Sequence, residues 1–276
     1  MANGRRLYVL GGICGFEEGV SVPKFYVISD VHSYYDEMRM ALDEAGFNPN
    51  DENSWLISCG DALDRGPKTQ EVIDYLMGLP RYILIKGNHD QLIMDCLNRG
   101  FALDYDHHNG TFRSIIDLAP NAKTFGEACN VAYEKVRPFV NRMVNYFETE
   151  HFVFCHSWVP VNCDDNLPHY YRRLRRFSKK EDWRTAHQSE WDRAMWVNPL
   201  EMAIAGLGIE KQICSGHWHC SAGWAMQNGI SEFGDDAIFE PFYYKDKLIM
   251  IDACTAHSHK VNCLVLEDDF IDGKST

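Results

Sequence analysis

Along the first hundred residues, short apolar runs alternate with stretches of helical spacing. KFYVIS at 24–29 is a run rich in β-formers that ends on Asp30, the pattern of a buried strand delivering a polar loop. From Tyr34 to Ala45 the apolar positions Tyr35, Met38 and Leu42 repeat with helical spacing, and Gly46 stops them. SWLISC at 54–59 predicts a second strand, again followed by a Gly-Asp loop. Pro67 opens the next helix, through about Met77, in the first-turn position that proline favours. RYILIK at 81–86 is a third strand ending in Gly-Asn-His-Asp, with a helix to about Asn98.

Three strand-loop-helix units in succession predict a mostly parallel sheet with covered faces. In such sheets ligands bind outside the carboxyl ends of the strands, and each of these three ends carries a cluster of Asp, His or Asn. Residues 100–130 read as polar and irregular, followed by a helix from Gly126 to Val144. Further strands are expected at HFVFCHS (151–157), KQICSG (211–216), AIFEPFYY (237–244), KLIMID (247–252) and KVNCLVLE (260–267). The charged, aromatic stretch around RRLRRFSKKEDW predicts a helical cap inserted over 165–198 of a single domain spanning 1–276.

Composition narrows the class. With 276 residues, 45% of them apolar, the chain can bury a sizeable core. Its formal charge of −13 disfavours binding to nucleic acid by counterion release. The ten cysteines include no C-x-x-C pair and read as buried thiols of a reducing compartment. No apolar run approaches the length of a membrane span, so a cytoplasmic enzyme is expected. The N-terminal MANGRRLYVLGGICGF only loosely mimics a signal peptide. Residues 1–21 carry two readings. Glu17-Glu18-Gly19 is what a translated ribosome-binding site encodes, which makes Val22 the true start; alternatively, Leu7–Leu10 is an extra edge strand.

The polar strand ends collect into one constellation: Asp30 and His32, then Asp61, Asp64 and Arg65, then Asn88 and His89, then His156, then His217 and His219. Oxygen and imidazole donors without thiolates suit Mn, Fe or Zn, and one Asp between two donor groups can bridge a metal pair. Taken singly, each of these residues is equally well a helix cap or turn former.

D-x-H, G-D-x-x-D-R-G, G-N-H-D and two later histidines resemble the calcineurin-like metallophosphoesterases, and most closely the phosphoprotein phosphatases, including small bacterial and phage members. The resemblance implies an α/β sandwich of two mixed sheets flanked by helices, and two divalent metal ions, Mn first and Fe or Zn as alternatives. Asp30 and His32 would hold the first metal, Asp61 would bridge, and Asn88, His156 and His217 would complete the second. His219, the second histidine of a G-H-x-H, matches a first-metal ligand of the wider superfamily. A metal-bridging hydroxide would attack phosphorus directly, with His89 as general acid oriented by Asp64, and Arg65 and Asn88 would bind phosphate. The implied activity is phosphate monoester hydrolysis, with a serine/threonine phosphoprotein as first-choice substrate. The alternatives are a small phosphoester, a nucleotide such as a dinucleoside polyphosphate, or an RNA end, and, more remotely, a non-catalytic scaffold.

The chain also departs from the family. Trp158 follows His156-Ser157 where a small residue is usual, and is expected to crowd the substrate mouth. Asn198 stands where a second phosphate-binding arginine is usual, leaving Arg172, Arg173, Arg175 or Arg176 as substitutes or as a solvated helix face. In ICSGHWHC (213–220), Cys214 and Cys220 read as packing residues.

Overall fold

The computed structural model describes residues 22–163 and 177–271, together with the backbone of two strands before them, β1 (Arg6–Leu10) and β2 (Ile13–Glu17). These two pair antiparallel with each other in a separate ladder, and most of the 1–21 segment lies outside the described residues. The main body runs β3 (Lys24–Ile28), α1 (Tyr35–Glu44), β4 (Ser54–Ser58), α2 (Thr69–Gly78), β5 (Tyr82–Leu84) and α3 (Asn88–Arg99). It continues with α4 (Asp104–His108), α5 (Thr111–Leu118), α6 (Phe125–Val140), β6 (Tyr146–Glu148), β7 (Phe152–Cys155), β8 (Asn162–Cys163) and β9 (Phe177–Ser178). The remainder is α7 (Gln188–Ala194), α8 (Pro199–Ile204), β10 (Gln212–His219), α9 (Cys220–Asn228), β11 (Phe242–Tyr244), β12 (Leu248–Asp252), α10 (Thr255–Ser258) and β13 (Leu264–Glu267).

Two mixed sheets result, not one mostly parallel sheet. The first has order β13-β3-β4-β5, with β3, β4 and β5 parallel and β13 antiparallel on β3. The second has order β11-β12-β10-β7-β6, parallel at its centre and antiparallel at both edges. Side chains alternate along each strand. Phe25, Val27 and Ile57 of the first sheet meet Phe154, Cys214, Ile249 and Ile251 of the second in a core between the sheets. Tyr26, Ile28 and Leu56 face outward onto α1, α2, α3, α5 and α6. Val153, Ile213, Leu248 and Met250 face the opposite layer, which holds Trp158, Trp183 and Trp191. The fold is thus an α/β sandwich with helices outside both sheets.

Several boundaries moved. Residues expected to be irregular form α4 and α5, because Asp106 accepts from the Leu103 amide and closes the first turn of α4. β10 continues through His219, and α9 begins at the next residue. The expected AIFEPFYY strand keeps only Phe242–Tyr244. Of the expected cap over 165–198, residues 165–176 lie outside the described residues, and the described part holds β9 paired with β8, a 3-10 turn at Trp183–Thr185, and α7. Tyr170, Tyr171, Arg172, Arg173, Arg175 and Arg176 lie outside the described residues. Among the described residues, no helix is long and apolar enough to cross a membrane.

Candidate active site

The carboxyl ends of β3, β4 and β5 from one sheet and of β7, β10 and β12 from the other converge on one place. The backbone there is unusual: Asp30, His32, Asp61, Asp64, Arg65 and His217 all have positive φ, between 49° and 73°. Asp and His tolerate this region better than most side chains, and such strain concentrates at functional sites. Cross-loop amides hold it in place, Asp30 donating to the Gly60 carbonyl at 3.0 Å and His32 to the Asp61 carbonyl at 3.0 Å. Gly216 lets β10 approach the first loop. A Cβ there would overlap the Ser29 hydroxyl and the Asp30 carboxylate, which accepts from the His217 amide at 3.0 Å.

Backbone carbonyls orient the imidazoles. His32 Nδ1 donates to the Leu63 carbonyl at 3.0 Å and His156 Nδ1 to the Cys59 carbonyl at 2.8 Å. A carbonyl can only accept, so Nδ1 carries a proton in each ring, and in the neutral ring Nε2 presents a lone pair to the site. The two oxygens of Asp61 divide between these rings. Oδ2 lies 3.8 Å from His32 Nε2, and Oδ1 lies 3.5 Å from His156 Nε2. Asp61 therefore belongs to two compact donor groups, His32–Asp61–His89 and Asp61–His156–His217, each with its donor atoms within 4.8 Å of one another. Asn88 Oδ1 sits 2.8 Å from His156 Nε2. Two lone-pair atoms at that distance fit a shared cation, and the donor set fits a divalent metal without thiolate preference.

The electrostatics agree. Asp30, Asp61, Asp64, Asp90 and Asp252 are all buried here. Burial, and then the neighbouring Asp252 and Asp61, push the Asp30 carboxyl well above its ordinary range. Burial, with Asp61 beside it, raises Asp90 to about 7. Asp61 is the exception: burial opposes its ionisation, but His156, His89, His32 and His217 together hold its carboxyl below the usual range. Burial lowers His32 well below its ordinary value and, helped by His156, lowers His217 to about 3. Both rings are thus neutral near pH 7, the form that ligates metal.

Beside the donor groups, His89 Nδ1 meets Asp64 Oδ2 at 3.0 Å, and the same oxygen accepts from Thr111 Oγ1 at 2.6 Å. Arg65 Nη2 stands 3.3 Å from His89 Nε2. Burial lowers the His89 pKa, but Asp61 and Asp64 outweigh it and the net shift is upward. A guanidinium can only donate, so here His89 Nε2 accepts from Arg65 while Nδ1 donates to Asp64, and Nε2 can take a cavity-facing proton once Arg65 turns away.

The cavity measures about 190 Å³ and is lined by Asp30, His32, Asp61, Arg65, Asn88, His89, His217 and His219, among the residues read from sequence. His156 is buried and is not among the lining residues, but its Nε2 meets Asn88 Oδ1 of the lining at 2.8 Å. His219 stands outside both donor groups. Its Nδ1 is bonded to Glu232 Oε1 at 3.0 Å, and its Nε2 is 4.0 Å from Asp252 Oδ2.

The structure also supplies Asn109, Trp196, Asp252, Cys254 and Thr255 as lining residues, and Thr111 as the second partner of Asp64. Asp252 ends KLIMID, a strand end like the others, and that signal was readable. Asn109 and Thr111 follow a segment with no visible pattern.

One expectation is corrected. Trp158 is 1% exposed and packed among Trp183, Trp191 and Leu200 outside the second sheet, so it does not crowd the mouth. Asn198 caps α8, its Oδ1 accepting from the Leu200 and Glu201 amides at 3.0 and 3.2 Å. That is a helix start, in keeping with the expectation that Asn198 does not stand in for the second arginine. Cys214 and Cys220 are fully buried packing residues, as read from the sequence.

The calcineurin-like phosphoesterase family model matches residues 23–261, and the chain belongs to that family. Members of that family use divalent metal ions, and the two His/Asp donor groups are of the kind that holds them. Among curated relatives, it is 41% identical over 66 residues to the symmetrical bis(5'-nucleosyl)-tetraphosphatase of Buchnera aphidicola subsp. Acyrthosiphon pisum, a match covering 24% of this chain and 23% of the relative. It is 29% identical over 122 residues to the enzyme of the same name from Methylococcus capsulatus, covering 44% of this chain and 40% of the relative. Less than half of either relative's length is thus matched. Among solved structures, a cold-active protein-tyrosine phosphatase of a psychrophilic Shewanella species superposes with a TM-score of 0.51 and 13% identity, covering 90% of this chain and 76% of that one. This shows a shared fold.

Proposed function

We propose that the protein hydrolyses nucleotide phosphoesters and phosphoanhydrides of the dinucleoside polyphosphate class, using a pair of divalent metal ions, Mn first. The observation that carries the hydrolytic part is the division of the Asp61 carboxylate between His32 and His156, with the His89–Asp64 pair alongside. The nucleotide part is supported by the two tetraphosphatases that the chain resembles. Phosphoserine or phosphothreonine in a protein, the first reading of the sequence, has no comparable support.

In this reading Asp30, His32 and Asp61 hold one cation, and Asp61, Asn88, His156 and His217 hold the other. His219 stays at the rim, held by Glu232. The cations supply positive charge against the reacting phosphoryl group and a nucleophile at neutral pH. His89 delivers a proton from Nε2 to the leaving oxygen, Asp64 fixes its ring through Nδ1, and Arg65 turns from His89 to the phosphate oxygens. Cavity size favours a single phosphoryl group in the polar pocket, the rest of the substrate lying outside.

Purified protein loaded with Mn is assayed against diadenosine tetraphosphate, a phosphoseryl peptide and p-nitrophenyl phosphate. The expected order of kcat/KM places the dinucleotide first. A higher value for the peptide overturns the substrate class, and no turnover of any of the three overturns the hydrolytic reading.

A further inference from the structure

Next to the polar pocket lies a second, larger cavity of about 450 Å³, and Trp196 lines both. Its walls are apolar, formed by Val161, Phe177 and Val197 with Trp196, and Glu190 and Arg193 stand among its polar lining. Trp158, Trp183 and Trp191 are buried nearby, whereas Trp196 leaves 53% of its surface exposed. What sets this indole apart is its place, at the boundary of the polar pocket and the larger cavity, where a substrate group can rest on it. Its ring stands edge-on to His217, with centroids 6.0 Å apart, so the indole borders the second donor group directly.

We propose that Trp196 and the cavity behind it form a nucleobase subsite, taking the base of the nucleotide whose phosphoryl group enters the polar pocket. The inference rests on the nucleotide reading above and adds where the base goes. Three features fit a base better than other substituents. The cavity pairs two aromatic side chains, Trp196 and Phe177, with apolar neighbours, which suits a flat ring. Glu190 and Asp192 are paired with Lys180 and Lys86 at 3.3 and 3.4 Å, and Arg193 shares the lining, so the charges there are largely matched within the protein and the cavity has no excess of cations to select a further phosphate. Donors and acceptors within the lining suit the polar edge of a base.

The Mn-loaded protein and its Trp196→Ala and Trp196→Phe variants are compared on diadenosine tetraphosphate and p-nitrophenyl phosphate. Stacking on an aromatic ring corresponds to roughly 5- to 150-fold in binding. The expected result is a fall of that size in the ratio of the two kcat/KM values for Trp196→Ala, carried mainly by KM for the dinucleotide, with recovery in Trp196→Phe. Val161→Trp, which fills the cavity from its other wall, is expected to lower the ratio in the same way. A ratio that stays within twofold in both Trp196→Ala and Val161→Trp overturns the subsite.

A second measurement separates this inference from the hydrolytic reading. In chelator-treated protein, adenosine is expected to quench tryptophan fluorescence saturably, and Trp196→Ala to abolish the quench. Quenching without dinucleotide turnover sustains the subsite and overturns the proposed substrate. Turnover with no Trp196-dependent quench overturns the subsite and leaves the hydrolysis standing. An equal loss for a phosphoseryl peptide in Trp196→Ala assigns the cavity to peptide side chains and overturns the nucleobase.

Discussion

His156 Nε2 faces Asn88 Oδ1 at 2.8 Å while its Nδ1 is committed to the Cys59 carbonyl. With the ring neutral, neither atom of the close pair has a proton to offer, and the contact becomes favourable with a cation between them or a second proton on the ring. The expected outcome is that His156→Ala binds one Mn per chain where the wild type binds two, measured by elemental analysis after gel filtration. Its kcat should fall by about 100-fold or more. Chelation should lower the melting temperature of the wild type further than that of the variant, because ligand at a hundred times its Kd adds about 2.7 kcal/mol.

Asp64 holds His89 and is itself held by Thr111. If His89 protonates the leaving oxygen, the need for it scales with leaving-group basicity. Asp64→Asn should reduce turnover of an alkyl phosphate by about 10²- to 10⁴-fold, and that of p-nitrophenyl phosphate much less. Thr111→Val should show the same selectivity at about tenfold. Steady-state kinetics over a series of leaving groups checks both, and equal losses across the series contradict the role.

Asn198 serves α8 and not the substrate. Asn198→Ala should lower stability by about 1 kcal/mol, seen as a shift in the urea midpoint. Inhibition by inorganic phosphate should change by less than twofold.

Far from the site, His151 and Asp268 join the start of β7 to the end of β13, with Nδ1 and Oδ1 at 2.7 Å and the His151 amide bonded to Oδ2 at 2.9 Å. Asp268, through its hydrogen bond and its charge, raises the His151 pKa, with Glu150 adding to the effect and Lys211 opposing it. A histidine whose folded pKa is raised contributes stability that is complete below its unfolded value of about 6.5 and lost as pH rises through the folded one. Wild type should therefore exceed His151→Ala in melting temperature at pH 6, and the gap should close by about pH 9. A constant gap across that range rules out the ionic contribution.

The sequence shows the site better than the scaffold. Six of the expected strands end in the donors that meet here, because a buried strand is a short apolar run and its polar end stands out against it. Trp158 was misread because the residues after a strand end carry no period, and only the packed layer reveals that its indole turns away from the mouth. Asn109 and Trp196 were invisible for a related reason: each reaches the cavity from a segment distant in sequence, and no local pattern announces that approach. Asn198 looked like a missing arginine because position alone was compared, whereas the Pro199 that follows it marks a helix start.

The two donor groups differ in where they are anchored. His32, Asp61 and His89 all follow strands of the first sheet, so that group can assemble on one sheet alone. The group of Asp61, His156 and His217 spans both sheets. A cation there would be a rivet through the sandwich, joining layers otherwise held by the apolar contacts of Phe25, Val27 and Phe154. Occupancy of the second position would thereby be coupled to the spacing of the sheets. A substitution deep between them, such as Cys214→Leu, would alter metal affinity without touching a ligand.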